Sequence, residues 1–311
     1  ETLKECPPLN NCRWQLFSRD SAGWQLAAED PKDRTREPCP LGWSHDGRLF
    51  LSANPTLVAD HTKRGGGPAR PEILEFSGTD PKTPPRTILP EWGDSPAFTE
   101  HSYRSFAADG PAGELILFQN VGYTHSEWIL RDRGGRWPAR GKLVWPPYED
   151  PSLEPYGATH VRVNYSNVVL HNREVHFCGI ASYNKWDRVR DKPELMGREQ
   201  WGSRTRRLLY TWTPDIANKP LGDWVEVAHC FATGGYLLTG DMWRAPGGPM
   251  HIVWTEYPIH PKLRQDYFPD IKRTQSIKYA QLRDGKVVLR RTLLEGGEGA
   301  GIRRRHQAGL R

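Results

Sequence analysis

Three stretches of the 311-residue chain put proton-handling side chains where a strand should be apolar: Glu100-His101-Ser102-Tyr103-Arg104, Gly122-Tyr123-Thr124-His125-Ser126-Glu127-Trp128 and His160-Val161-Arg162-Val163-Asn164-Tyr165-Ser166-Asn167. Imidazole exchanges a proton near neutral pH, a phenol serves where its surroundings favour it, and guanidinium holds an anion without titrating. A base next to a fixed cation suits the removal of a weakly acidic proton. Carboxylates offer different chemistry. Glycoside hydrolysis uses an acid and a base or nucleophile on the order of 5 to 9 Å apart. Glu100, Glu127, Asp241 and Glu256 are candidates, the last in the aromatic strand end Trp254-Thr255-Glu256-Tyr257. A third use is binding alone, with Trp and Tyr stacking on sugar faces while His and Asn read hydroxyls. Each residue also has a structural role open to it. His101 and His125 could bond turn amides, Tyr165 could pack in a core, and the carboxylates could be solvated or salt-bridged.

These groups need a scaffold, and a repeat supplies it. Four segments share a turn followed by an alternating apolar run: His45 to Leu51, Pro111 to Leu117, His171 to Phe177 and Pro246 to Ile252, at steps of 66, 60 and 75 residues. A second pair of strand-like runs follows each hairpin, as in Glu127 to Asp132 with Gly141 to Trp145, or Arg207 to Trp212 with Trp224 to Ala228. Four strands per repeat is a propeller blade. Arg13 to Phe17 and Trp24 to Ala28 read as the outer strands of one more blade, whose inner strands the carboxyl terminus would have to provide. The expectation is an all-β propeller of five blades, with six or seven as alternatives, in a single domain over 1–311. Residues 1–12 form a Pro- and Cys-rich lead. Residues 296–311 read as an irregular or truncated tail that leaves the last blade incomplete.

Asp132-Arg133-Gly134-Gly135-Arg136-Trp137 fits the D-x-G-x-x-W core of an Asp box, and Ser18 to Trp24 is a less regular version. In such a turn Asp caps backbone amides, Gly takes a positive φ and Trp packs between blades. Together with His101 before a strand, His125 after the next and Arg162-Val163-Asn164-Tyr165 entering the following blade, the chain resembles the BNR-repeat, sialidase-like propellers that include ulvan lyases and related rhamnose-uronate lyases. The resemblance covers roughly residues 98 to 186. It implies β-elimination on a uronate-containing glycan, with His101, His125 and Tyr165 as catalytic groups. Where that family has its carboxylate-binding Arg, this sequence reads Cys178-Gly179-Ile180-Ala181-Ser182-Tyr183-Asn184. Arg104 and Arg162 are then the cations available for that role, with Tyr123, Asn164 and Tyr183 as further sugar-binding groups. Glycoside hydrolysis by paired carboxylates and non-catalytic carbohydrate binding are the alternatives.

Composition narrows the classes. With 13 Trp, 11 Tyr, 30 Gly and 27 Pro the chain suits short strands and turns rather than long helices. The net charge of +6 is dispersed apart from Arg303-Arg304-Arg305, so it outlines no nucleic-acid face. No run approaches the roughly 18 apolar residues of a membrane span. Of five cysteines, Cys6, Cys12 and Cys39 crowd the start and could form one bridge, whereas Cys178 and Cys230 read as buried small hydrophobes. No Cys/His spacing points to zinc. Asp215 and Asp241 could reach calcium only with carbonyl help, so the metal content stays open. The expectation is a secreted or periplasmic monomer acting on a polysaccharide or oligosaccharide without a redox cofactor.

Overall fold

The computed structural model describes residues 14–30, 40–43, 46–57, 67–80, 82–99, 102–122, 124–147, 159–182, 205–230, 233–261, 264–265 and 268–299. These residues form five antiparallel sheets, each a meander in chain order. The first holds β1 (Gln15–Asp20) and β2 (Gly23–Glu29); the second holds β3 (Leu41–Trp43), β4 (Leu49–Ala53), β5 (Glu72–Phe76) and β6 (Arg86–Ile88). The third holds β7 (Arg104–Asp109), β8 (Glu114–Val121), β9 (His125–Arg131) and β10 (Ala139–Val144). The fourth runs β11 (Val163–His171), β12 (Glu174–Ser182), β13 (Thr205–Thr213), β14 (Val225–His229), and the fifth β15 (Tyr236–Arg244), β16 (Met250–Tyr257), β17 (Thr274–Arg283), β18 (Lys286–Gly297). The fold class is the all-β propeller of five blades, one of them represented by two strands among the described residues.

Every repeated turn of the sequence joins the first and second strands of a four-stranded sheet. Asn172 and Arg173 both take positive φ (47° and 67°), the backbone that a two-residue hairpin needs to match strand twist. The Asp-box mechanism is also present. Asp132 Oδ1 accepts the Arg136 N–H at 2.9 Å, Gly135 has φ 83°, and Trp137 packs on a core drawn from two neighbouring blades. The irregular version differs in its last element. Asp20 Oδ1 accepts the Ala22 N–H at 2.8 Å, but Trp24 is 70% exposed.

The chain divides into two compact units. The first comprises residues 1–144 with 170–174 and 214–220, and contains the sheets β1–β2, β3–β6 and β7–β10. Its core joins Phe50 and Ile73 to Phe106, Leu115, Leu117 and Ile129. Gly42 makes that approach possible, since a Cβ there would lie 2.5 Å from the Phe106 ring. The second unit comprises 145–169, 175–213 and 221–311. Leu208 and Tyr210 of β13 pack there with Ile252 and Trp254 of β16 and Ala280 and Leu282 of β17. Cys178 and Cys230 belong to this core as free thiols, and burial pushes the Cys230 thiol up to about 12.

At the carboxyl end β18 pairs with β17 as far as Gly297 opposite Thr274, completing the fifth sheet. Regular structure thus enters the segment read as an irregular tail, because backbone pairing asks nothing of the side chains that Gly296 and Gly297 lack. The Cys6, Cys12, Cys39 and Arg303 to Arg305 readings lie outside the described residues.

Candidate active site

His125 opens β9 opposite Val121. Its Nδ1 is 2.8 Å from Thr124 Oγ1 and its Nε2 3.2 Å from Glu127 Oε1, which Lys142 Nζ approaches at 3.5 Å. Glu127 belongs to a polar row across the third sheet, Arg104, Gln119, Glu127 and Lys142, set by the pairing of β7 to β10. The row is interior over most of its length. Arg104 is buried and its Nε donates to the Ser52 carbonyl at 3.3 Å, while Gln119 Nε2 donates to the Ser102 carbonyl at 3.2 Å.

Arg162, Asn164 and Tyr165 lie at the entry to β11, in the second unit. Tyr165 is 49% exposed and takes φ 47°, a left-handed conformation that costs an aromatic residue strain. The Asn164 Oδ1 atom is buried with no hydrogen-bond partner among the described residues. Of the groups expected for elimination, the first unit holds His125 and Arg104 and the second Tyr165, Asn164 and Arg162. His101, Tyr123, Tyr183 and Glu100 lie outside the described residues.

The carboxylates give a tighter assembly, within the second unit. Met250, Ile252 and Trp254 of β16 alternate into the core, and the same face continues to Glu256. Where the core ends, that face therefore carries a carboxylate. Glu256 Oε2 accepts Trp254 Nε1–H at 3.4 Å, and its Oε1 lies 3.7 Å from Lys278 Nζ. It lines a cavity of about 420 Å³ together with Glu226, His229, Lys278 and Arg291. Glu226 projects from β14, with its Oε2 accepting from Arg207 Nε and its Oε1 2.6 Å from His229 Nδ1. Arg290 of β18 closes the wall by donating to the Val227 carbonyl at 2.8 Å.

Two carboxylates facing one space, each positioned by cationic or N–H neighbours, are the equipment of acid–base hydrolysis. Asp241 is used otherwise, its Oδ1 accepting its neighbour Met242 N–H at 2.7 Å. Asp215 caps a turn through Ala217 N–H at 3.1 Å and Asn218 Nδ2 at 2.6 Å. Among the described residues no group of three or more His, Cys, Asp or Glu is arranged to hold a metal ion. Glu226 escaped the sequence reading because Val225-Glu226-Val227-Ala228 alternates like any half-solvated strand.

No family model matches the chain, and no curated protein does. Among solved structures it is similar to a protein of unknown function from Dyadobacter fermentans DSM 18053, at 12% identity over 84% of this chain and 77% of that one, with a TM-score of 0.45. It is also similar to the α-L-arabinofuranosidase Arb93A of Fusarium graminearum, solved with an iminosugar inhibitor (11% identity, 92% and 72% covered, TM-score 0.46). A third is the phage phi92 endosialidase (15% identity, 93% of this chain, TM-score 0.47), of which this chain spans 41%. These are likenesses of fold. The sheets, their meander order and their turns carry the propeller assignment here.

Proposed function

We propose that the chain is a glycan-active hydrolase, with Glu226 and Glu256 as its carboxylate pair and a uronate-containing polysaccharide as its substrate. The observation that carries this reading is that both carboxylates line one cavity of the second unit. Glu256, with the looser contacts, gives its proton to the departing glycosidic oxygen. Glu226, held at both oxygens by Arg207 and His229, activates water or attacks the sugar. Lys278 and Arg291 supply positive charge to the same cavity, which suits an acidic sugar. Hydrolysis is preferred to the elimination that the resemblance implies because Glu226 and Glu256 share one cavity, whereas the described partners of His125 are Thr124 and Glu127.

The test is incubation with ulvan, rhamnogalacturonan, gum arabic, glucuronan and arabinan, following reducing ends and the absorbance of unsaturated uronate together. New reducing ends without that absorbance, reduced at least about a hundredfold by Glu256→Gln or Glu226→Gln, are the expected result. A rising absorbance abolished by His125→Ala or Tyr165→Phe would replace hydrolysis with elimination. Neither product, with glycan still retained, would leave a binding propeller.

A further inference from the structure

Adjacent residues of a strand point to opposite faces of its sheet, so Tyr257 faces away from the cavity that Glu256 lines. A second cavity, of about 820 Å³, lies on that other face of the fifth sheet, lined by Tyr236, Tyr257, Arg273, Ile277, Leu294 and Gly296 among others. Tyr236 and Tyr257 are cross-strand partners, stacked with ring centroids 4.3 Å apart at 12°. Ile277 and Leu294 are likewise partners, each 40% exposed. The wall thus combines the two tyrosine rings with the exposed carbon of Ile277 and Leu294, beside charged and polar groups.

Its charges are unequally committed. Arg264 Nη1 is paired with Glu298 Oε2 at 2.8 Å. The Arg273 N–H donates to the same carboxylate at 3.2 Å, and these bonds hold the Glu298 carboxyl below its usual range. The Arg273 carbonyl in turn accepts the Glu298 N–H at 3.1 Å, so the backbone of Arg273 is fixed at both ends. Its guanidinium charge also acts on Glu298, as one of the smaller causes of that lowered carboxyl, after the backbone bond from Arg273 and the contact from Arg264. Gly296, opposite Gln275, leaves space, and a Cβ built there meets nothing within 4 Å.

We infer that this cavity is a non-catalytic binding site for an acidic sugar residue, with the C–H face of the ring on Tyr257 and Ile277 and its carboxylate on Arg273. Guanidinium takes a carboxylate through two parallel N–H bonds, and an aromatic shelf takes the apolar ring face, so the pair selects a uronate over a neutral sugar. The volume lies within the range of ligand pockets and accommodates more than one sugar ring. The inference rests on the glycan reading of the chain but not on Glu226 or Glu256 being catalytic. A glycan held here is tethered to the sheet that carries Glu256.

Calorimetric titration of the whole chain with digalacturonate, and with cellobiose as the neutral control, separates the two ideas. Binding of digalacturonate is expected in the native chain whether or not reducing ends are released from the glycan panel, which keeps this site distinguishable from hydrolysis at Glu226 and Glu256. Arg273→Gln should weaken it about ten- to a hundredfold, the loss of a charge-assisted contact. Gly296→Leu, whose Cβ has nothing within 4 Å and whose branched end enters the cavity, should weaken it comparably while leaving the denaturation midpoint in place. Native-like affinity in both Arg273→Gln and Gly296→Leu would overturn the site. So would no binding of either sugar, and equal affinity for cellobiose would overturn the acidic assignment.

Discussion

The third and fifth sheets are built on one plan and buried on two. Along β8 every residue but the last is buried, and β9 is buried from its second residue to its end, so the middle of this sheet is covered on both faces while its outer strand β10 alternates. In the fifth sheet β17 alternates, and β18 is mostly exposed. A strand covered on both faces must place its polar groups internally: Arg104 Nε, Gln119 Nε2 and Glu127 Oε1 find partners there, while Gln119 Oε1 has none among the described residues. A strand covered on one face can spend its other residues on a ligand. Both cavities described above lie against the fifth sheet.

The contrast can be broken most forcefully in the core. Phe118 of β8 is fully buried, and Phe118→Ala should cost about 3–5 kcal/mol, whereas Val288→Ala in β18 should cost less than about 1 kcal/mol. Urea denaturation midpoints of the two variants measure this, and equal losses would mean that β18 is covered in solution. Next in size is a pair of glycines. Gly42→Ala drives a methyl into the Phe106 ring and should cost about 1–3 kcal/mol, while Gly296→Ala, with open space around it, should stay within about 0.5 kcal/mol.

A smaller effect distinguishes the two Asp turns. Asp132→Ala should cost about 1 kcal/mol by losing the bond to Arg136 N–H beneath a packed Trp137, and Asp20→Ala, beneath an exposed Trp24, should cost less in the same assay. The smallest is titration of Glu75 in the second sheet. Burial raises its carboxyl, but hydrogen bonds from Arg86 and Arg48 more than offset this and hold it below the usual range. A depressed carboxylate stabilises the fold above its unfolded pKa and loses that contribution as pH falls through the folded one. The native midpoint should therefore drop on acidification below about pH 4.5, and less steeply in Glu75→Gln.

The blades were legible because turn chemistry is local. Asp46-Gly47, Asn172-Arg173 and Gly247-Gly248 mark the same hairpin three times without reference to anything distant. The Asp box could be read for the same reason, down to the packing of Trp137. The cavities were not legible, since Glu226 and Glu256 lie on strands of different sheets and meet only through packing that alternation does not encode. The end of β18 was misread because glycines argue against a strand by propensity, yet Gly296 and Gly297 are held by their partners Gln275 and Thr274.

The single strand between the two cavities has a property beyond packing: it keeps phase. From Met250 to Glu256 the pairing of β16 with β17 runs without a register shift, and the irregularity on its other side falls in β15, between Thr239 and Met242. One residue gained or lost within β16 would turn Glu256 into the tyrosine-lined cavity and Tyr257 into the carboxylate-lined one, exchanging the chemistry of both at a stroke. This segment can therefore diversify by substitution but not by length, and insertions in relatives should collect at the Gly247-Gly248 turn instead.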